Sequence, residues 1–202
     1  DYFSEIKQEL ALRKQLLSQT IQCAKQEALD AQSSLSSATG NAGTNDLVST
    51  LSGKLNDAVN FYDLELQKLD TAGISGSISI AKEVLVYRMS SYDVLAGNVN
   101  NYLLWAKNQN LFATAQTRFD QTSRAVAFLE SAAPNGDLQN AMNSARASFA
   151  NAADLNNQAK RALMQGFPPD QSLQLIQLSL SALADTYQRF FDVSTIIKSI
   201  LP

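Results

Sequence analysis

Between residues 78 and 131 no proline occurs, and one line of positions recurs every three or four residues: Ile78, Ala81, Leu85, Arg88, Tyr92, Leu95, Val99, Tyr102, Trp105, Gln109, Phe112, Ala115, Phe119, Thr122, Val126 and Leu129. Such spacing puts one apolar stripe on a helix. The polar run Asn108-Gln109-Asn110 raises the question of whether the chain reverses there. The stripe keeps its phase across it, through Trp105, Gln109 and Phe112. Asn and Gln cost only tenths of a kcal/mol in a helix, against ~3 kcal/mol for an interior proline. The expectation is one helix over about 78–131, roughly 80 Å long at 1.5 Å per residue, with the Asn-Gln-Asn run facing solvent.

The remaining breakers divide the chain cleanly. Three of the four prolines and six of the eight glycines cluster in SSATGNAGTND, TAGISGS, AAPNGD and GFPPD, compositions that end helices and turn chains. A first helix is predicted over 2–37, its stripe made by Phe3, Ile6, Leu10, Leu17, Ile21, Ala24, Ala28, Ala31 and Leu35. A second covers about 46–70 with Val48, Leu51, Leu55, Val59, Tyr62, Leu66 and Leu69. A helix over 137–165 carries Leu138, Met142, Ala145, Phe149, Ala152, Ala159 and Leu163. The last, about 170–201 with Asp170 as its cap, shows a heptad seam of Leu173, Ile176, Leu180, Leu183, Tyr187, Phe190, Ile197 and Ile200.

Folding these hairpins back with equal rise in neighbouring helices brings the first loop beside residue ~107 and the GFPP turn beside residue ~101. The fold class this implies is all-α: two consecutive three-helix bundles, 1–107 and 108–202, sharing one long central helix in an elongated rod. Chain ends then lie at opposite ends. In helix count and repeat length the arrangement resembles spectrin-type tandem repeats. The segment NYLLWAKNQNLFATAQTRFDQ, residues 101–121, is similar to uncharacterised exported helical proteins of ultrasmall bacteria. That resemblance implies export and brings no functional residues with it.

Charge narrows the partners. Lys and Arg number 16 against 19 Asp and Glu, a net charge of −3, and the basic residues are scattered, so no field gathers a phosphate backbone. Nucleic acid is not an expected partner. Charged residues make up 17% of the chain, below the usual ~25%, and Ser, Asn, Gln and Ala take the surface positions. That neutral polar surface, with a start at Asp1 rather than Met, is expected of a processed, extracytoplasmic or cell-surface chain. No apolar run reaches the ~18 residues of a membrane span, although the closing FFDVSTIIKSILP is compatible with an adjacent anchor.

Catalytic chemistry finds few candidates. There is no histidine, which removes the commonest base and the usual metal ligand. Asp63, Glu65, Asp93, Asp120 and Asp154 are dispersed on stretches read as water-facing, and no phosphate loop, nucleophile elbow or calcium loop is present. The expectation is no enzyme, no cofactor and no metal. Cys23, the single cysteine, is read as a small core residue.

Three features remain. Phe119, Phe149 and Tyr187 fall at one level, as an aromatic core layer would. Trp105, near the junction, serves either as an anchor between bundles or as part of an exposed binding patch. Arg88 breaks the apolar seam, and its level should hold Asn60, Gln22 and Asp63. It is read as an edge arginine paired with Asp63 or stacked on Tyr92, with an anion pocket of Arg88, Asn60 and Gln22 as the alternative. The functional expectation is a non-enzymatic spacer or interaction module of a larger exported protein, with flanking domains or protein partners. The alternative, a sensor ectodomain of a membrane receptor, needs both chain ends on one side and therefore a reversal at Asn108–Asn110.

Overall fold

The computed structural model describes residues 2–38, 44–132 and 134–200, all in helices and short connections. Helix α1 covers Tyr2–Ser37, α2 Asn45–Thr71, α3 Ile74–Tyr87, α4 Asp93–Ala132, α5 Gly136–Met164 and α6 Pro169–Ile200. Arg88–Tyr92, between α3 and α4, is a π-helical turn rather than a break, so Ile74 to Ala132 is one uninterrupted helical run. The fold is all-α, as the spacing predicts. The chain divides into two compact units, Asp1–Leu103 and Leu104–Pro202, a boundary four residues before the expected one.

Helix ends follow the local chemistry. The third helix starts at Ile74, not near 78, because only Ala72 and Gly73 adopt extended backbone between α2 and α3. Gly76 belongs to the first turn of α3, where a Cβ would lie 3.1 Å from that of Ala72. Asn135 caps α5, its side chain accepting from the amides of Asp137 and Leu138 at 3.0 and 3.1 Å. At the other end Gly166, φ 69°, closes α5 with Phe167 N–H to Ala162 O and Gly166 N–H to Leu163 O, a Schellman pair. Pro169 opens α6, where its missing N–H costs nothing. Asp170, expected to cap, therefore sits inside the first turn, where its charge suits the helix dipole.

In the first unit the core is drawn from Ile21, Ala24, Ala28 and Leu35 of α1, Leu51, Leu55, Ala58, Tyr62 and Leu69 of α2, Ile80 and Val84 of α3, and Tyr92, Leu95, Val99 and Tyr102. The Tyr102 and Thr44 hydroxyls share a buried hydrogen bond of 3.1 Å. Phe3 is exposed rather than part of the stripe. Cys23 is also exposed, because a position two residues after Ile21 points about 200° away from it.

The second unit is built from α4, α5 and α6. Small residues take many of its most buried positions. Leu138, Ala145, Ala152 and Ala159 of α5, spaced by seven, are fully buried, and so are Ser172, Ser179, Thr186 and Val193 of α6 at the same spacing. The Ser179 and Thr186 hydroxyls donate to the carbonyls of Ile176 and Ala182, at 2.7 and 2.9 Å, so close packing leaves them satisfied. The larger seam residues Leu180, Tyr187, Ile197 and Ile200 flank this line, half-buried.

The aromatic layer is met in part. Phe119 stacks on Phe149 with centroids 5.7 Å apart, while Tyr187 joins through Phe190, 5.8 Å from one ring and 6.4 Å from the other. The Asn-Gln-Asn run is not wholly solvent-facing. Asn108 and Gln109 are half-buried and only Asn110 is exposed.

Candidate functional site at the π turn

The residues buried on α3 are Ser77, Ile80 and Val84, whereas Ala81 and Leu85 face solvent. Beyond the turn they are Tyr92, Leu95, Val99 and Tyr102. The two series are out of step by one residue. An unbroken α-helix carries one phase, so the 78–131 stripe was read one position late on its first turns. The π turn absorbs the extra residue, its signature the bond from Asp93 N–H to Arg88 O, five residues apart.

This displacement explains Arg88. It lies in the wide turn rather than on the seam, and its side chain is 40% exposed. The guanidinium donates to Glu27 at 2.9 Å, lies 3.5 Å from Asp93 and sits over the Tyr92 ring at 5.8 Å. The stacking on Tyr92 is as expected, but the carboxylates are not. Asp63 is occupied by Lys25 at 2.6 Å. Burial works against the Arg88 charge, yet the Glu27 hydrogen bond and the charges of Glu27 and Asp93 outweigh it and hold the group above its usual range.

Around Arg88 a groove of about 590 Å³ runs between α1 and the start of α4, lined by Glu27, Asp30, Tyr92, Asp93 and Asn100 among others. Behind it lies an aromatic cluster. Tyr62 meets Tyr92 and Tyr87 edge-on at 5.9 and 5.8 Å, and Phe61 stacks on Tyr87 at 3.9 Å. The Tyr62 side chain is fully buried and its hydroxyl has no hydrogen-bond partner. Burial, reinforced by Tyr92 and opposed by Arg88, pushes its phenol up to about 12. Tyr92 is raised as well, by burial and then by Glu27.

The other sequence candidates lie elsewhere. Gln22 lines a separate polar groove of about 450 Å³ with Lys14, Ser18 and Asp63, and Asn60 is exposed on α2. Neither lines the Arg88 groove. Trp105 is buried in the second unit, with the Lys160 ammonium 5.9 Å from its ring centre.

Glu65, read as water-facing, is instead buried, one oxygen 2.6 Å from Lys68 and the other without a partner. Lys68 also reaches Glu83 at 3.2 Å, and these bonds raise the Lys68 pKa and lower that of Glu83. The signal for Glu65 was present: it stands three residues after Tyr62 and four before Leu69, on the seam.

Among the described residues no group of His, Cys, Asp or Glu is placed to hold a metal ion, and no helix is long and apolar enough to cross a membrane. No family model matches the chain, and neither a curated protein nor a solved structure matches it.

Proposed function

We propose that the chain is a non-enzymatic spacer and interaction module of a larger exported or surface protein, made of two three-helix bundles in series along one shared helix. The observation that carries this reading is the unbroken helix through Asn108–Asn110. A rod that continues from one bundle into the next separates whatever flanks it, whereas the sensor-ectodomain alternative needs the chain to double back at that point. The interaction half of the proposal draws on α3. Leu85 and Val86 stand 57% and 63% exposed on its outer face, and Met89 of the π turn that follows stands 65% exposed. Beside them Leu16, Leu17, Ile78 and Ala81 line an apolar groove of about 280 Å³. Exposed apolar surface of this kind marks contact sites.

Small-angle X-ray scattering tests the spacer geometry. A compact chain of this length has a radius of gyration of about 17 Å, while two bundles end to end, roughly 90 Å long, give about 26 Å. A value near the compact figure would sink the spacer reading.

A further inference from the structure

Helix α3 is apolar on two sides. Ser77, Ile80 and Val84 are buried in the first unit, while Ile78, Leu85 and Val86 stand in solvent. A helix apolar all round is normally covered all round. Its neighbour α1 carries the same excess. Leu12 and Leu16 are exposed, and Leu16 lines with Thr20, Ile78 and Ala81 the groove between the two helices. Positions 12, 16, 20 and 23 of α1, and 78, 81, 85 and 89 along α3 and the turn after it, recur every three or four residues, so each helix adds one outward stripe to a single face.

The extent of this face suits a second copy of the same chain. Leu12, Leu16, Ile78, Leu85, Val86 and Met89 are between 41% and 65% exposed. Together they offer on the order of 700 Å², close to the ~800 Å² that each partner gives to a standard stable interface.

The order of residues is self-complementary. Thr20 and Ala81, both small, line the middle of the face, with Leu16 and Ile78 to one side and the exposed Cys23 and Leu85 to the other. A two-fold axis through that midpoint and across the helices lays α1 antiparallel on α1 and α3 antiparallel on α3. Ile78 then meets Leu85 of the second copy, and the small residues stand at the axis, where they let the helices approach.

Charge obeys the same axis. Arg13 lines one end of the groove, and Glu27 stands at the other end of the face, where it accepts from Arg88. Seven residues separate each of them from Thr20, so the axis brings Arg13 of either copy opposite Glu27 of the other. The Nε and Nη2 groups of Arg13 donate to Glu9, which leaves Nη1 for a charge-assisted bond across the interface.

Resting on the interaction half of the proposed function, we infer that the face formed by α1 and α3 joins two copies of this chain into an antiparallel two-fold dimer.

Sedimentation equilibrium of the whole chain over about 1–300 µM tests this, and the mass should rise from one chain toward two. Leu16→Glu with Leu85→Glu, both at exposed positions, should weaken association by about a hundredfold or more through facing like charges. Its helical circular dichroism and unfolding midpoint should stay those of the wild type. Arg13→Glu alone and Glu27→Arg alone should each weaken association about tenfold, and an equimolar mixture of the two should recover it as a heterodimer, in which both cross-copy pairs are again of opposite charge. A chain that stays monomeric throughout leaves the face to a different protein; it overturns the dimer while the spacer geometry, read separately by scattering, stands. Unchanged association in the Leu16, Leu85 variant, or no recovery in the mixture, overturns it as well.

Discussion

Gln109 and Asn156 exchange two amide hydrogen bonds, Gln109 Nε2 to Asn156 Oδ1 at 3.3 Å and Asn156 Nδ2 to Gln109 Oε1 at 3.1 Å. The middle residue of the polar run is thus held by α5, and its Nε2 also donates to Trp105 O at 2.8 Å. Gln109→Ala leaves Asn156 half-buried without its partner and should cost about 1 kcal/mol, while a Gln109→Leu, Asn156→Leu pair should restore most of the loss. Gln109→Pro breaks the helix itself and should cost about 3 kcal/mol or more. Urea denaturation of the four proteins checks the order.

The second unit should be sensitive to added bulk as well as to a lost ring. Phe149 is half-buried, so Phe149→Ala should cost about 2 kcal/mol rather than the ~3–5 of a fully buried ring. Ala152 is fully enclosed, and Ala152→Leu should cost about 1–3 kcal/mol or more through overpacking. Retention of wild-type stability by Ala152→Leu would show that the backbones of α5 and α6 are not in close approach.

Deleting Ser90 removes the extra residue of the π turn. The helix then regains a single phase, and Ser77, Ile80 and Val84 turn by about 100° relative to Tyr92 and Leu95. Helical circular dichroism should persist while cooperative unfolding of the first unit is lost or strongly weakened. An unchanged denaturation midpoint would mean that the two halves share one phase after all.

Alkaline stability should report Tyr62. Its pKa rises from 10.0 to about 12 on folding, so the folded state favours the neutral phenol. That contribution is fully present below pH 10 and fades as pH rises through 10 to about 12, up to about 2–3 kcal/mol in all. Tyr62→Phe should flatten this decline between pH 9.5 and 11.5, roughly the accessible part of the window. Spectrophotometric titration should show one late-ionising tyrosine that is absent in Tyr62→Phe.

The helices were legible in the sequence because breakers and apolar spacing agree: Pro134, Gly136, Gly166 and Pro168 each sit at a boundary. Two things were hidden by the same habit of following large apolar residues. Ala81 and Leu85 continued the pattern back from Tyr92, and only burial reveals that Ile80 and Val84 replace them. A phase shift leaves no composition signal when apolar residues fill both candidate lines. Likewise Leu180 and Tyr187 were read as the seam of α6, whereas Ser179 and Thr186 are deeper. Small hydroxyl residues read as surface until a second helix comes close enough for their carbonyl bonds to matter. Arg88 stands out in the sequence as an exception, but its partners follow from the shift. Tyr62 was read correctly as core, and nothing in its spacing marked the hydroxyl as orphaned.

The line of alanines and serines between α5 and α6 has a mechanical consequence. Side chains this short interlock weakly, so little along the line itself resists one helix sliding past the other. Alignment has to come from the hairpin's own end, where Gly166 and Pro169 fix the reversal, and from bulky neighbours such as Met142, Ile176 and Leu183. The register of the pair is therefore set at the reversal, and a slip there would be passed on to every layer beyond it.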